Sequence, residues 1–276
     1  MNLHFTKMHG LGNDFVVINT IEQQITMSPE IARTLADRRF GIGCDQILIV
    51  GQSNRPEIDF SYRIFNADGS EVEQCGNGAR CFALFVREQG LTDKDKIVVE
   101  TASGIITLYI EEGDEVRVNM GPPHFEPASL PFLAPQQAAS YELVFEGEKI
   151  EIGAVSMGNP HMVHQVESVD KAPVAEWGPI LERHPSFPER VNVGFMEILS
   201  RQQIRLRVFE RGTGETLACG TGACAAVAVG ISWGKLENRV EVLLPAGRLI
   251  IEWQQGDAPI WMTGPATTVF KGTIEI

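Results

Sequence analysis

The 276-residue sequence has no run of about 18 uninterrupted apolar residues, so it offers no helix able to cross a membrane. Positive charge is scarce. With 23 Lys and Arg against 36 Asp and Glu, the net charge of -13 sets up a field that repels phosphate backbones and anionic lipid, and no local basic patch offsets it. Neither a nucleic-acid nor a membrane partner is expected. Met1-Asn2-Leu3-His4-Phe5-Thr6-Lys7 lacks the apolar core of a secretion signal, and a cytoplasmic location is the expectation. Cysteines are few and odd in number (Cys44, Cys75, Cys81, Cys219 and Cys224), which argues against a disulfide framework. Tight Cys-x2-Cys knuckles are missing as well, and no metal is expected. No lysine follows the glycine-rich runs, which excludes a phosphate-binding P-loop.

What remains is a chain with 43% hydrophobic and 21% charged residues, the balance of a globular protein with a sizeable core, long enough for two domains. Its main organising feature is a repeat. Cys75-Gly76-Asn77-Gly78-Ala79 returns as Cys219-Gly220-Thr221-Gly222-Ala223, and 219 minus 75 is 144. Gly12-Asn13 returns as Gly158-Asn159 and Gln46 as Asn192, both at an offset of 146, while Asn66 aligns with Glu210 at 144. Four ordered positions at offsets within two residues indicate a duplication, with two similar domains expected to face each other.

Each Cys-Gly-x-Gly precedes a helical stretch, Ala79 to Gln89 and Ala223 to Trp233, closed by Gly90 and Gly234 at the position where a left-handed backbone costs least. Both stretches are apolar on nearly every side, as buried helices are. A surface helix is expected from the N-cap Ser28 and Pro29 through Arg39 to Gly41. Alternation in Ile204 to Val208 and β-branched runs at Ile105 to Ile110, Val240 to Leu244 and Leu249 to Trp253 indicate strands. The expected class is α+β, with two pseudo-symmetric domains, each a mostly antiparallel or mixed β-sheet rolled around a central buried helix. Gly121-Pro122-Pro123 and Gly264-Pro265 mark the crossings. The expected domains are 1–118 plus 264–276, carrying Cys75, and 119–263, carrying Cys219.

A helix start presents unpaired N–H groups and partial positive charge, which attract an anion and lower the pKa of a thiol placed there. If the halves pack face to face, two such starts bring Cys75 and Cys219 to one cleft. Inverting an amino-acid α-carbon requires a base on one face and an acid on the other, and converging backbone dipoles stabilise the charge pushed into the carboxylate. Cys75 and Cys219 are therefore the candidate acid and base. Cys81 and Cys224 read as small buried hydrophobes, and Cys44 carries no catalytic expectation.

The motifs Gly10-Leu11-Gly12-Asn13-Asp14-Phe15, Gly43-Cys44-Asp45-Gln46, Asn66-Ala67-Asp68-Gly69-Ser70, Gln74-Cys75-Gly76-Asn77-Gly78-Ala79-Arg80-Cys81, Gly158-Asn159-Pro160-His161, Glu210 to Thr216 and Ala218-Cys219-Gly220-Thr221-Gly222-Ala223 closely resemble the diaminopimelate epimerase family in order and spacing. The resemblance implies that family's fold and a cytoplasmic homodimer without cofactor, acting on a small-molecule substrate by interconverting LL- and meso-2,6-diaminoheptanedioate for lysine and peptidoglycan precursors. It implies that Gly76, Asn77, Gly220 and Thr221 hold the reacting carboxylate, that Asn13, Gln46, Asn66, Asn159, Asn192, Glu210 and Arg211 contact the substrate, and that His161 and Glu210 tune the thiols. Phe270 stands where relatives often carry a tyrosine at the dimer contact.

Other readings are weaker on the residues. His161 alone would be a structural histidine, and asparagines beside glycine usually make turns. Gly220-Thr221-Gly222-Ala223-Cys224-Ala225 fits Gly-x-Gly-x-x-Ala with Glu241 further on, but Gly212 to Leu217 is not the buried strand a dinucleotide fold needs upstream. A proline or hydroxyproline racemase-like enzyme would also use two thiols; Glu210-Arg211 and the asparagines favour a substrate with a second charged end. A thiol-switch or small-molecule binding protein without turnover is the alternative outside enzymes, and two thiols in one cleft would join as an inactivating disulfide under mild oxidation.

Overall fold

The computed structural model describes residues 2–72, 75–102 and 104–276, without the side chain of Asp114; Gln74 of the first cysteine motif lies outside the described residues. In chain order the elements begin with β1 (Asn2–Gly10), β2 (Asn13–Asn19), α1 (Pro29–Ala36), β3 (Gln46–Gly51), β4 (Phe60–Asn66), β5 (Glu71–Val72), α2 (Gly76–Glu88), β6 (Lys96–Thr101), β7 (Gly104–Ile110) and β8 (Glu115–Asn119). They continue with β9 (Tyr141–Phe145), β10 (Glu148–Ser156), β11 (Pro160–Gln165), α3 (Val174–Leu181), β12 (Asn192–Ser200), β13 (Gln203–Glu210), β14 (Gly214–Thr216), α4 (Gly220–Ser232), β15 (Arg239–Leu244), β16 (Gly247–Glu252), β17 (Trp261–Pro265) and β18 (Thr267–Glu275). The chain divides into two compact units, Met1–Asn119 with Thr263–Ile276, and Met120–Met262.

Within the first unit β1 runs antiparallel to β2, β2 parallel to β3, β3 antiparallel to β4, and β4 antiparallel to β5 and parallel to β6. Within the second, β10, β11, β12, β13, β14 and β15 repeat that sequence of pairings one for one. Even the register is repeated: Phe15 pairs with Gln46 and His161 with Asn192, each 146 residues later, and Ile47–Phe65 is matched by Val193–Phe209. The duplication read from four polar positions thus extends through the backbone, and the mixed sheets around buried helices make the fold α+β.

Helix α2 lies against β1, β2, β3, β7, β8 and β18, and α4 against β10, β11, β12, β13 and β16. The opposite face of the first sheet packs Val16, Ile18, Ile47 and Ile49 with Ala32 and Leu35 of α1. Both faces being covered, the strands carry unbroken apolar runs such as Phe15 to Ile18 and Ile47 to Val50 instead of alternating. The tail returns as β18, paired antiparallel with β1 from Asn2–Glu275 onward.

Three helix boundaries differ from the sequence reading. Helices α2 and α4 begin at Gly76 and Gly220, three residues earlier than Ala79 and Ala223, so the glycines lie within the first turn. Space dictates glycine there: a Cβ on Gly78 would sit 2.5 Å from the Tyr62 hydroxyl. Helix α1 stops at Ala36 because Asp37 turns the chain out, its carboxylate accepting from the Arg39 and Phe40 N–H groups. Gly264-Pro265, read as a crossing, lies inside β17 just past the division of the units between Met262 and Thr263. Gly90 and Gly234 do take the left-handed conformation after the two buried helices.

Candidate active site

Cys75 and Cys219 are each the N-cap of a buried helix, in extended conformation one residue before the first turn. The geometry of a helix start leaves the N–H groups of Gly76 and Asn77, and of Gly220 and Thr221, without intrahelical acceptors. None of the five cysteines is in a disulfide. Cys44, Cys81 and Cys224 are buried, and burial pushes the Cys44 thiol up to about 12.

In the first unit a two-residue turn, Leu11-Gly12, joins β1 to β2, with both residues at positive φ. This tight turn presents Asn13 to Cys75: the Cys75 thiol donates to Asn13 Oδ1 at 3.8 Å, and Asn77 Nδ2 donates to the same oxygen at 3.2 Å. Asn77 Oδ1 in turn accepts from Arg80, whose fully buried guanidinium also reaches the Pro265 carbonyl. Gln46 and Asn66 lie opposite each other on β3 and β4, joined by a 2.9 Å bond from Gln46 Nε2 to Asn66 Oδ1. Gln46 Oε1 is buried with no hydrogen-bond partner among the described residues.

In the second unit the same positions build a different environment. Asn159 Nδ2 donates to Thr221 Oγ1 at 3.4 Å, and Thr221 Oγ1 lies 3.6 Å from Cys219 Sγ. His161 Nε2 meets Asn159 Oδ1 at 3.0 Å. Burial, then the charge of Arg211, pushes the His161 imidazole down to about 3, so it is neutral and donates from Nε2. Cys219 is only 4% exposed. Burial raises its thiol well above the usual range and the Glu210 carboxylate raises it further, against smaller opposing bonds from Thr221 and Gly222. The expectation that the helix start lowers a thiol is therefore overturned at Cys219, because desolvation and a neighbouring negative charge outweigh it.

Glu210 ends β13 and accepts from the Thr216 hydroxyl. Asn192 is a buried strut: its Nδ2 donates to the Pro160 carbonyl at 2.8 Å and its Oδ1 accepts from the Arg211 N–H at 2.9 Å. Arg211 extends to the Glu189 carbonyl at 3.2 Å. The turn after it is pinned by Glu182, a 3% exposed carboxylate that accepts from the Gly212 N–H at 2.8 Å. Phe270 lies on β18, half-exposed, edge-on to Phe5 at 5.9 Å.

Glu182 and an ion cluster under Asn13 were missed by sequence reasoning. Asp14 is gripped by Lys7 and by both terminal nitrogens of Arg38, at 2.9 and 2.7 Å, and Arg38 also reaches Asp45 at 2.8 Å. Burial alone would raise the Asp14 carboxyl, but Arg38 and Lys7 together hold it far below the usual range. The motifs containing Asp14 and Asp45 were visible, yet nothing in them announces that residues 7, 14, 38 and 45 meet. Among the described residues no group of three His, Cys, Asp or Glu is placed to hold a metal ion, and no helix is long and apolar enough to cross a membrane.

The diaminopimelate epimerase family model matches residues 5–126 and 153–269 of the chain. Diaminopimelate epimerase of Nitrosomonas eutropha is 62% identical over 279 residues, and that of Thioalkalivibrio sulfidiphilus 61% identical over 278, each match covering 100% of both chains. Among solved structures, a hydroxyproline epimerase from Agrobacterium vitis with bound trans-4-hydroxy-L-proline has a TM-score of 0.71, covering 99% of this chain and 92% of its own. At 14% identity that likeness is one of fold alone.

Proposed function

This chain belongs to the diaminopimelate epimerase family, and from that membership we propose that it is a cofactor-independent isomerase interconverting LL- and meso-2,6-diaminoheptanedioate with Cys75 and Cys219 as its two proton carriers. The observation that carries the reading is the duplicated placement of a cysteine at the N-cap of a buried helix, in matching register within two repeated units.

The chemistry follows from the groups at hand. One sulfur, as thiolate, removes the α-proton while the other, as thiol, supplies a proton to the opposite face; reversal of the reaction exchanges the roles. The first-turn N–H groups of Gly76, Asn77, Gly220 and Thr221 hold the reacting carboxylate and stabilise the charge that the carbanion pushes into it. A buried neutral thiol is a poor base, so Cys219 needs a proton acceptor, and Glu210 is the carboxylate beside it. Neutral His161, through Asn159 and Thr221, orients that sulfur. Arg211 grips the distal carboxylate by its planar fork, and the distal ammonium falls to Asn13, Asn66, Gln46 and Glu210. Gln46 Oε1, without a hydrogen-bond partner among the described residues, supports a donor of that kind. Asn159 and Asn192 complete the substrate contacts. The domains are 1–118 with 264–276 and 119–263, each boundary within one residue of the two compact units; the protein works in the cytoplasm and pairs as a homodimer through β18 around Phe270.

Incubation with LL-diaminopimelate and, separately, L-proline in deuterated water tests the assignment. Deuterium is expected at the α-carbon of diaminopimelate only; incorporation into proline alone would move the chain to the proline racemase class. Cys75→Ala and Cys219→Ala are each expected to cut epimerisation by at least about 10³-fold, and near-normal turnover in either would refute the two-thiol scheme.

A further inference from the structure

We infer that Asp45 and Arg80 are positioning residues that terminate a polarised hydrogen-bond chain and thereby hold Cys75 as a thiol until substrate arrives. The inference deepens the two-thiol reading and rests on it. The chain runs from Arg80 Nη2 to Asn77 Oδ1 (3.0 Å), from Asn77 Nδ2 to Asn13 Oδ1 (3.2 Å), and from Asn13 Nδ2 to Asp45 Oδ2 (3.0 Å). An amide can be turned either way, and its two ends differ only as donor and acceptor. A guanidinium only donates and a carboxylate only accepts, so the ions at the two ends dictate both amide orientations between them.

The consequence falls on the sulfur. With Nδ2 of Asn13 committed to Asp45, Oδ1 must face Cys75, where it accepts from the thiol at 3.8 Å. A carbonyl oxygen facing sulfur favours S–H and repels S⁻, whereas the flipped amide would offer an N–H and favour the thiolate. The other charges around this turn are already matched: Asp14 of β2 by Lys7 of β1 and Arg38 after α1, with Arg38 also on the second oxygen of Asp45. Asp45 Oδ2 takes the Asp14 N–H at 3.1 Å as well as Asn13, which fixes the carboxylate itself. The duplication isolates the device: by the same offsets Arg80 corresponds to Cys224 and Asp45 to Val191, so the second unit keeps the Asn159–Thr221 bond but has neither ion.

The test is the rate at which iodoacetamide modifies Cys75 at pH 7 in the full chain, quantified by peptide mass spectrometry so that Cys219 is read separately. Asp45→Asn, which can donate as well as accept, releases the amide of Asn13; Cys75 alkylation is expected to rise roughly three- to tenfold with Cys219 unchanged. Asp45→Glu, which keeps the obligate acceptor, and Arg38→Gln, which removes the neighbouring ion pairs but leaves Asp45 to Asn13, are expected to stay within about twofold of wild type on the same reasoning. A wild-type rate in Asp45→Asn, or an equal rise in Arg38→Gln, would overturn the inference. Should Asp45→Asn not fold, Asn13→Ala removes the acceptor oxygen directly and must reproduce the rise; a wild-type rate there is equally fatal. Thiol reactivity is read without any turnover, so failure here is distinct from failure of the two-thiol scheme, which would appear as epimerisation by Cys75→Ala.

Discussion

The two units share strand order, register and a cysteine-capped helix, but what surrounds the sulfur differs. In the first, Cys75 is half-buried and gives its hydrogen bond to an asparagine locked between two ions. In the second, Cys219 is buried beside a carboxylate and is linked through Thr221 and Asn159 to a neutral imidazole. Position by position, Phe15 and Asn66 of one unit stand where His161 and Glu210 stand in the other. Duplication supplied two equal frames, and a carboxylate and an imidazole were placed around one of them where the other carries an asparagine and a phenylalanine. On the proposed two-thiol reading, a symmetric reaction is served by unequal halves: one sulfur sits beside a carboxylate, the other is held by amide dipoles.

The largest effect that would break this contrast is at Glu210. Glu210→Gln keeps an acceptor for Thr216 but cannot take a proton from Cys219, and kcat is expected to fall about 10²- to 10³-fold. Asn66→Ala, at the equivalent place in the first unit, is expected to act mainly on KM, by about tenfold. Steady-state kinetics in both directions decides; equal losses of kcat would mean the halves are chemically alike. A smaller effect concerns acid. Below pH 6.5 the unfolded His161 imidazole binds a proton that the folded one refuses down to about 3, so its contribution to stability is intact above 6.5 and drains away as pH falls through that window. His161→Gln should therefore flatten the acid loss, recovering on the order of 3 kcal/mol at pH 4 in urea melts. An unchanged pH slope would show that the imidazole titrates normally. The smallest effect compares the helix starts. A Cβ at Gly78 would meet the buried Tyr62 hydroxyl at 2.5 Å, whereas at Gly222 it meets Val208 Cγ2 at 3.0 Å and Cys219 at 3.2 Å. Gly78→Ala is expected to cost about 1–3 kcal/mol and Gly222→Ala about 1 kcal/mol or less, and denaturant midpoints that reverse this order would contradict the packing described.

Much of this frame was legible beforehand. The repeat needed only the two Cys-Gly-x-Gly runs and three echoed polar positions, because a duplicated register forces equivalent residues to equivalent places. The C-terminal glycines and the Ser28 cap followed from local backbone preferences. What escaped was decided by burial and long-range contact. Glycine is a poor helix former, so the glycines of each motif read as lying before the helix. Gly78 nevertheless sits in the first turn of α2, where Tyr62 on β4 leaves no room for a side chain. Lys7, Asp14, Arg38 and Asp45 meet only because β1, β2 and the segment after α1 converge, which no spacing announces. The pKa of Cys219 runs against its helix start because depth, invisible in a motif, governs it. Helix α3 went unseen because Pro179 inside it reads as a breaker.

The pairing of β18 with β1 also bears on how the chain is made. Synthesis proceeds from the N-terminus, and domains generally fold as units while it does so. Met120–Met262 is contiguous, so its strands β9 to β16 are made in one uninterrupted stretch of synthesis. The first unit has to keep the edge of β1 open until the last strand emerges, so the half that is made first is the last to be finished.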